Sequence, residues 1–483
     1  MTRTFDTAGV TQSEEAPAAP VSPTDVIARL EAEIAARDEI IKSLLARVAE
    51  LERRLGLDSS NSGKPPSSDG LKKPLRTTSL REPSGRKPGG QKGHPGTTLR
   101  RTEHPDAIVD HLPGVCAHCG EAMAMTDSVG HQARQVFDLP DPQPLRVTEH
   151  RAHECRCGKC GASARGQFPD AVTGPVQYGP NVAATVAYLS AEQYIPEDRI
   201  ARLLHDLHRI DISAASIAAM LHRKAFEQAG FADAVGRAVA VKHGDETGLR
   251  IGGALRWLQV AATALLTFYL VTIKRGEIIT GMAGVLVHDH FGPYFGLEGV
   301  LHALCNAHHL RELKALVEIE KEQWARDMAR LLHLACHAAN QARGSPVRPS
   351  FVAVFTARYR RIVAEGLAFH QAQPPLDSPS KKKRGRPKRR PGHNLVIRLR
   401  DHEDAVLRFL HDPAVPFTNN VAEQGGRMMK VKMKISGCFR TIEGAHVFTI
   451  LRGTADTARK QGWNVLDALK TPSPILIARL KAA

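Results

Sequence analysis

Two cysteine pairs constrain this chain more than any other feature: Cys116-Ala-His-Cys119-Gly and Cys157-Gly-Lys-Cys160-Gly. Each is a CxxC followed by glycine, a geometry that lets successive thiolates face one metal. Two such pairs supply four soft ligands for tetrahedral zinc. The predicted result is a small zinc-stapled domain over 107–172. Its Zn²⁺ is structural, because four protein ligands leave no open position for chemistry. Cys155 competes with Cys157 for one place, and His118 and His153 are lesser alternatives. Five of the eight cysteines fall between Cys116 and Cys160, which argues for metal in a reducing compartment over disulfides in a secreted protein.

Charge says what such a chain binds. With 66 Lys plus Arg against 50 Asp plus Glu the net charge is +16, and the excess is clustered in 64–103 and 381–390. A clustered positive excess suits a polyanion, and nucleic acid is the natural one. No apolar run approaches the roughly 18 residues of a membrane span, and Met-Thr-Arg-Thr-Phe-Asp-Thr-Ala has no signal-peptide core. The reading is a soluble intracellular protein of about three or more domains, since 483 residues exceed one typical core.

Residues 1–22, rich in Ala, Pro, Ser, Thr and Glu without periodicity, read as a disordered leader. From Ile27 a 3-4 repeat sets in: Ile27, Leu30, Ile34, Ile41, Leu44, Val48, Leu51 and Leu55, with Arg37 taking one seam position. That narrow stripe predicts a coiled coil over 23–56 and hence a homo-oligomer. The stretch 57–106 is punctuated by Ser-Ser-Asn-Ser-Gly-Lys-Pro-Pro and Gly-Arg-Lys-Pro-Gly-Gly-Gln-Lys-Gly-His and reads as a basic linker too rich in Gly and Pro to pack. Its glycines do not match the spacing of a phosphate-binding loop, and no apolar strand precedes them. Its charge fits a DNA backbone.

Residues 173–236 carry helical periodicity, with Ile200, Leu203, Leu204 and Leu207 on one face and Ile217, Met220 and Leu221 on another. A turn near Asp211 fits either a helix-turn-helix or a plain helical hairpin. Apolar strands follow: Ala238–Val241 leading to Asp245, Leu255–Ala262, Leu265–Ile273, Val285–Val287 leading to Asp289, and Val300–Asn306. Strands followed by helices predict a mixed sheet of the ribonuclease-H kind, its first part over 237–318. A helical insertion over 319–409 carries a basic loop, 380–390, whose Arg384-Gly-Arg386-Pro core suits an AT-rich minor groove. The second part of the core and a C-terminal tail take 410–483. The fold class is thus multidomain α+β and α/β.

Two strand-end aspartates, Asp245 and Asp289, and the helix-borne Glu423 form the candidate catalytic set, with Asn419 or Asn420 placed to cap the helix. Three carboxylates so placed can bind two divalent cations, Mg²⁺ or Mn²⁺, which in-line cleavage and joining of phosphodiesters needs. By that logic Asp245 bridges both ions while Asp289 and Glu423 hold one each. Arg427, Lys430 and Lys434 share the helix face of Glu423 and read as DNA-backbone contacts, with a bend at Gly425-Gly426. His308 is a further candidate for the site.

In order along the chain, these pieces resemble the insertion-sequence-66 family of transposases. The matching motifs are the zipper-like start, Ser-Ser-Asn-Ser-Gly-Lys-Pro-Pro-Ser-Ser at 59–68, Gly-Arg-Lys-Pro-Gly-Gly-Gln-Lys-Gly-His at 85–94 and the two CxxC pairs. They continue with His-Gly-Asp-Glu-Thr at 243–247, Cys-Asn-Ala-His-His-Leu-Arg-Glu-Leu at 305–313 and Pro-Phe-Thr-Asn-Asn-Val-Ala-Glu at 416–423. The resemblance implies a DDE transposase with a ribonuclease-H-like core interrupted between the second Asp and the Glu. This accounts for the 134 residues from Asp289 to Glu423. Asp289 departs from the family's more usual Asp-Gly-Tyr-x-Gly-Tyr, having Asp-His-Phe-Gly-Pro-Tyr, yet keeps the aromatic, Gly and Tyr positions. Also implied are double-stranded DNA substrates (terminal inverted repeats and target), accessory proteins of the same element, and a bacterial cytoplasmic, nucleoid-associated location. A zinc-containing DNA-binding regulator without catalysis and a nuclease that cuts without joining are the alternatives.

Overall fold

A computed structural model of the chain describes residues 22–58, 60–62, 99–139, 141–142, 144–237, 242–342, 344–374 and 389–480. The leader, most of the basic linker, Ala238–Val241, and Arg384 and Arg386 of the basic loop lie outside the described residues. In chain order the helices and strands are α1 (Pro23–Gly56), β1 (Glu154–Arg156), β2 (Ser163–Arg165), α2 (Pro180–Ala187), α3 (Glu197–His208), α4 (Ala214–Arg237), β3 (Lys242–Ile251), β4 (Ala254–Ala262), β5 (Thr267–Thr272), β6 (Gly284–His288) and β7 (Val300–Leu304). They continue as α5 (Asn306–Ala315), α6 (Gln323–Gln341), α7 (Pro349–Gln371), α8 (Pro391–Asp401), α9 (Glu403–His411), α10 (Asn420–Ser436), α11 (Ile442–Lys460), α12 (Val465–Lys470) and α13 (Ser473–Arg479). Two compact units result: Met1–Leu71 with Cys305–Thr418, and Lys72–Leu304 with Asn419–Ala483. Among the described residues no helix is long and apolar enough to cross a membrane.

The first unit is helical. Ser22 caps α1 through its side chain, and Pro23 occupies the first turn, where its missing N–H costs nothing. The heptad residues remain exposed along α1, from Leu51 at 43% to Leu55 at 82%. The loop after α1 does pack, against the expectation for the linker's start. Asn61, buried, donates to the Gly56 carbonyl at 3.0 Å and accepts from the Asp58 N–H at 2.7 Å, while Lys314 of α5 reaches the Ser60 hydroxyl at 3.1 Å. Side chains that bond their own backbone let a Ser/Asn-rich stretch form a closed turn without an apolar core of its own. Helices α6 to α9 pack around Trp324, Met328, Leu332, Tyr359, Leu395, Val396 and Leu399, all buried.

The second unit holds a five-stranded sheet in the order β5-β4-β3-β6-β7. β3, β4 and β5 are antiparallel neighbours, and β6 and β7 run parallel to β3. Alternation along β3 sends His243, Asp245 and Thr247 to one face and Lys242, Gly244 and Glu246 to the other. The first face packs on α4, α10 and α11 through Leu249, Leu258, Val260, Tyr269 and Val271 against Ala422, Met429, Leu451 and Ala455. The second is covered by Ile279, Met282 and Tyr294 over Leu286. Buried charges brace the first face: Arg452 of α11 pairs with Glu192 and with Asp456 at 2.6 Å, and Asp456 accepts from the Tyr269 hydroxyl at 2.6 Å. Each member of the cluster has a partner, which burial of charge requires.

Helices α3 and α4 are joined by a turn whose first residue, Arg209, is left-handed (φ 54°). Of the four residues expected on one face of α3, Ile200 and Leu204 are buried, Leu203 is half-buried and Leu207 is exposed. The last strand stops at Leu304, short of the expected Asn306, which instead opens α5.

Candidate active site

Asp245 is the fourth residue of β3, inside the strand and not at its end as expected. It lies opposite Val260 and faces α10. The helix passes directly over it: a Cβ on Gly426 would sit 3.4 Å from the Asp245 Oδ2, and one on Gly425 would sit 2.9 Å from the Tyr269 hydroxyl and 3.1 Å from Val260. At Gly425 something would have to shift to admit a Cβ, whereas at Gly426 a Cβ would make an ordinary contact, and the helix runs unbroken over Asn420–Ser436. The helical cost of roughly 1 kcal/mol per glycine accompanies, at Gly425, the close approach of the helix to Tyr269 and Val260.

Asn419 precedes α10 but its side chain makes no cap hydrogen bond. Fully buried, it turns instead to β3, donating from Nδ2 to the Gly244 carbonyl at 2.7 Å and meeting His243 Nδ1 at 3.0 Å through Oδ1. The start of the Glu423 helix is therefore stitched to the strand one and two residues before Asp245. Burial lowers the pKa of His243, so its ring is neutral at physiological pH.

Asp289 follows β6 directly, as expected, and its Oδ1 accepts from the Phe291 N–H at 2.9 Å. Glu423 lies in the first turn of α10, its side chain 15% exposed, with the Arg427 guanidinium 3.3 Å away. The Asp245 carboxyl is pushed up to about 7, first by burial, then by the charges of Glu246, Asp289 and Glu423. Four carboxylates thus share one low-dielectric region, and a cation is what relieves that arrangement. No three oxygens of Asp245, Asp289 and Glu423 lie within 4.8 Å of one another.

Glu246 escaped the sequence reading. A charged residue beside a candidate catalytic one in a half-buried strand is a usable signal, because alternation sends it to the opposite, buried face. Arg427, Lys430 and Lys434 are exposed on α10 at the spacing that puts them along the Glu423 side. His308 belongs to α5 in the helical unit.

In the zinc segment both cysteine pairs form the same turn. The Cys116 N–H donates to the Glu121 carbonyl at 2.7 Å and the Gly120 N–H to the Cys116 carbonyl at 2.9 Å; Cys157, Ala162 and Gly161 repeat this at 2.8 and 2.9 Å. Gly120 and Gly161 take φ of 78° and 73°, the left-handed conformation that glycine accepts without strain. The Cys116 thiol is lowered by the N–H groups of His118 and Cys119, and that of Cys157 by those of Cys160 and Lys159. A lowered thiol is a better metal ligand. Cys155 lies on β1 opposite Ala164, in neither turn, so Cys157 and Cys160 are the matched pair.

Comparison with known families agrees with this division. The family model described as transposase IS66 family matches residues 175–447, which include Asp245, Asp289 and Glu423. The zinc-finger binding domain of transposase IS66 matches 113–161, around both cysteine turns. Residues 21–100 match a family of unknown function. No curated protein matches the chain.

Proposed function

The chain belongs to the IS66 family of transposases, and from that membership we propose that it binds the ends of an insertion element as double-stranded DNA and catalyses metal-dependent strand cleavage and strand transfer. The observation that carries this reading is the placement of Asp245 on β3, Asp289 just after the parallel neighbour β6 and Glu423 on α10, the helix that Asn419 ties to β3 beside Asp245. The strand order β5-β4-β3-β6-β7 supports a ribonuclease-H-like core, with α5 to α9 as the insertion between Asp289 and Glu423.

Asp245, Asp289 and Glu423 would hold two Mg²⁺ or Mn²⁺ ions. Such ions, when bound, lower the pKa of an attacking water or 3′-hydroxyl and stabilise the leaving oxygen. The chain's own part is placement. Asn419 fixes α10 against β3, Gly425 lets the helix lie close on Tyr269 and Val260, and the sheet core excludes water from beneath them. Arg427, Lys430 and Lys434 would neutralise backbone phosphates along the outer face of α10, as Arg384 and Arg386 would in a minor groove. Zinc on Cys116, Cys119, Cys157 and Cys160 would hold the segment before α2 in shape. Pairing of α1 between copies would bring two element ends together.

The test is cleavage and joining of end-bearing DNA by Asp245→Asn and Glu423→Gln proteins. Each should lose Mg²⁺-dependent product by about 10³-fold or more while binding ends nearly as well as the wild type, since removing the charge of a ligand acts on the chemical step. Wild-type rates in either variant would remove that residue from the site. Cleavage without joined product in the wild type would favour a nuclease, and neither activity would leave a DNA-binding regulator.

A further inference from the structure

We propose that Glu246 is a positioning residue for Asp289: it fixes, from beneath the sheet, the turn that aims the second carboxylate of the site. The inference rests on the metal-dependent reading above and deepens it.

Glu246 points away from Asp245, and its side chain is only 1% exposed. Two groups take its two oxygens. Arg275, just beyond β5, donates to Oε1 from Nη2 at 2.8 Å and from Nε at 3.2 Å. Tyr294, in the 3₁₀ turn after Asp289, donates its hydroxyl to Oε2 at 3.2 Å. Both contacts end on the Asp289 turn. The Arg275 guanidinium is centred 4.4 Å from the Phe291 ring and 5.0 Å from that of Trp257, so Phe291 is stacked by a cation that Glu246 orients. The Phe291 N–H is the group that Asp289 Oδ1 accepts from, at 2.9 Å. Tyr294 closes the other end, its N–H donating to the Phe291 carbonyl at 3.2 Å and its ring lying 4.9 Å from that of His288. Gly244 leaves room for this ring, since a Cβ there would lie 3.2 Å from it.

Residues 291–294 are thus held at both ends by one buried carboxylate that lies on the face of β3 opposite Asp245. An ordinary structural ion pair would stabilise the sheet and leave the aim of Asp289 alone. A positioning residue governs how well Asp289 meets a cation, and partners outside the ligand set typically change metal affinity by about 10–100-fold.

The experiment measures Mn²⁺ binding to the zinc-saturated full-length protein by electron paramagnetic resonance, beside thermal melting and end binding. Glu246→Gln keeps the volume and an acceptor for Tyr294 but loses the charge that orients Arg275. It should weaken Mn²⁺ binding by about 10-fold and move the Mn²⁺ needed for half-maximal cleavage by the same factor, with end binding unchanged. Tyr294→Phe, which leaves the Glu246–Arg275 pair intact, should shift both readings in the same direction by a smaller factor. Unchanged Mn²⁺ affinity in Glu246→Gln, or in Tyr294→Phe should the first variant fail to fold, would overturn the proposal while the metal site stood. A wild-type protein that bound no Mn²⁺ would instead remove the metal reading, and this proposal with it.

Discussion

The zinc segment and the carboxylate site are built in opposite ways. Each cysteine turn is complete within six residues, from Cys116 to Glu121 and from Cys157 to Ala162, and is closed by its own backbone. Around them, none of the described residues from 99 to 180 is buried. The carboxylates come from two strands and a helix spread over 178 residues, and a continuous core lies under the first strand and the helix. The first region has its ligands and its own backbone bonds but no buried core. The second has its order already and pays for it in unrelieved charge.

That contrast sets the largest expected effect. Replacing Cys116 and Cys119 by Ser should take bound zinc from about one per chain to none. Structural zinc contributes on the order of 10 kcal/mol or more to a domain that lacks its own core, so residues 107–172 should become open to protease. The sheet and its helices should keep their protection. Metal analysis with limited proteolysis reads both halves, and an intact zinc segment in the metal-free variant would mean that it has packing not visible in its exposure.

The carboxylate site should respond to pH, by a smaller amount. The Asp245 proton leaves near 4 in the unfolded chain and near 7 in the folded one. Between those values the folded state holds more protons, so stability falls as pH rises from 4 to 7, and the full penalty, a few kcal/mol at most, is present above 7. Glu246 is raised too and acts in the same sense, whereas the buried His243 and Lys460, both lowered, act in the opposite sense. The difference between wild type and Asp245→Asn therefore isolates the effect. Without added divalent cation the variant should melt about as the wild type does near pH 4.5 and several degrees higher at pH 8. Mg²⁺ should narrow the gap by stabilising only the wild type. Equal melting at both pH values would mean that the carboxyl is not buried with the others.

What the sequence revealed follows the same division. The cysteine turns, helix α1 and the strands over Leu255–Ala262, Leu265–Ile273 and Val285–Val287 are legible because spacing or alternation within a few residues determines them. Asp245 was assigned to a strand end, yet the strand continues through Thr247 and Gly248 to Ile251, since pairing with β4 overrides weak local propensity. Asn419 or Asn420 reads as a cap because Asn before a helix usually is one, and Asn419 holds that position without a cap bond. It serves β3 instead, and only the fold brings Gly244 within its reach. Gly425 reads as helix weakness in one dimension and as clearance in three. Glu246 was passed over because its partners, Arg275 and Tyr294, are 29 and 48 residues away. Asn61 sits in a stretch whose composition suggests linker, and its bonds to Gly56 and Asp58 make that part of the stretch a folded turn.

Helix α1 sharpens the comparison, because it resembles the zinc segment in leaving its apolar residues exposed. Ile27, Leu30, Ile34, Ile41, Leu44 and Val48 are each about half exposed on one side of 34 residues, at the repeat that seats one helix against another. A second copy of the same helix satisfies that repeat, and Arg37 in the seam would set its register at some loss of stability. On the pairing of α1 proposed above, removal of the helix should alter mass more than folding. Deleting residues 1–56 should lower the oligomeric state in sedimentation, reduce joining of paired ends more than binding to a single end, and leave the melting of the sheet unit within about 1 °C, because no core residue of that unit is lost. Equal masses for the full-length and shortened proteins would show that the stripe is covered within one chain, and the likeness between α1 and the zinc segment would end there.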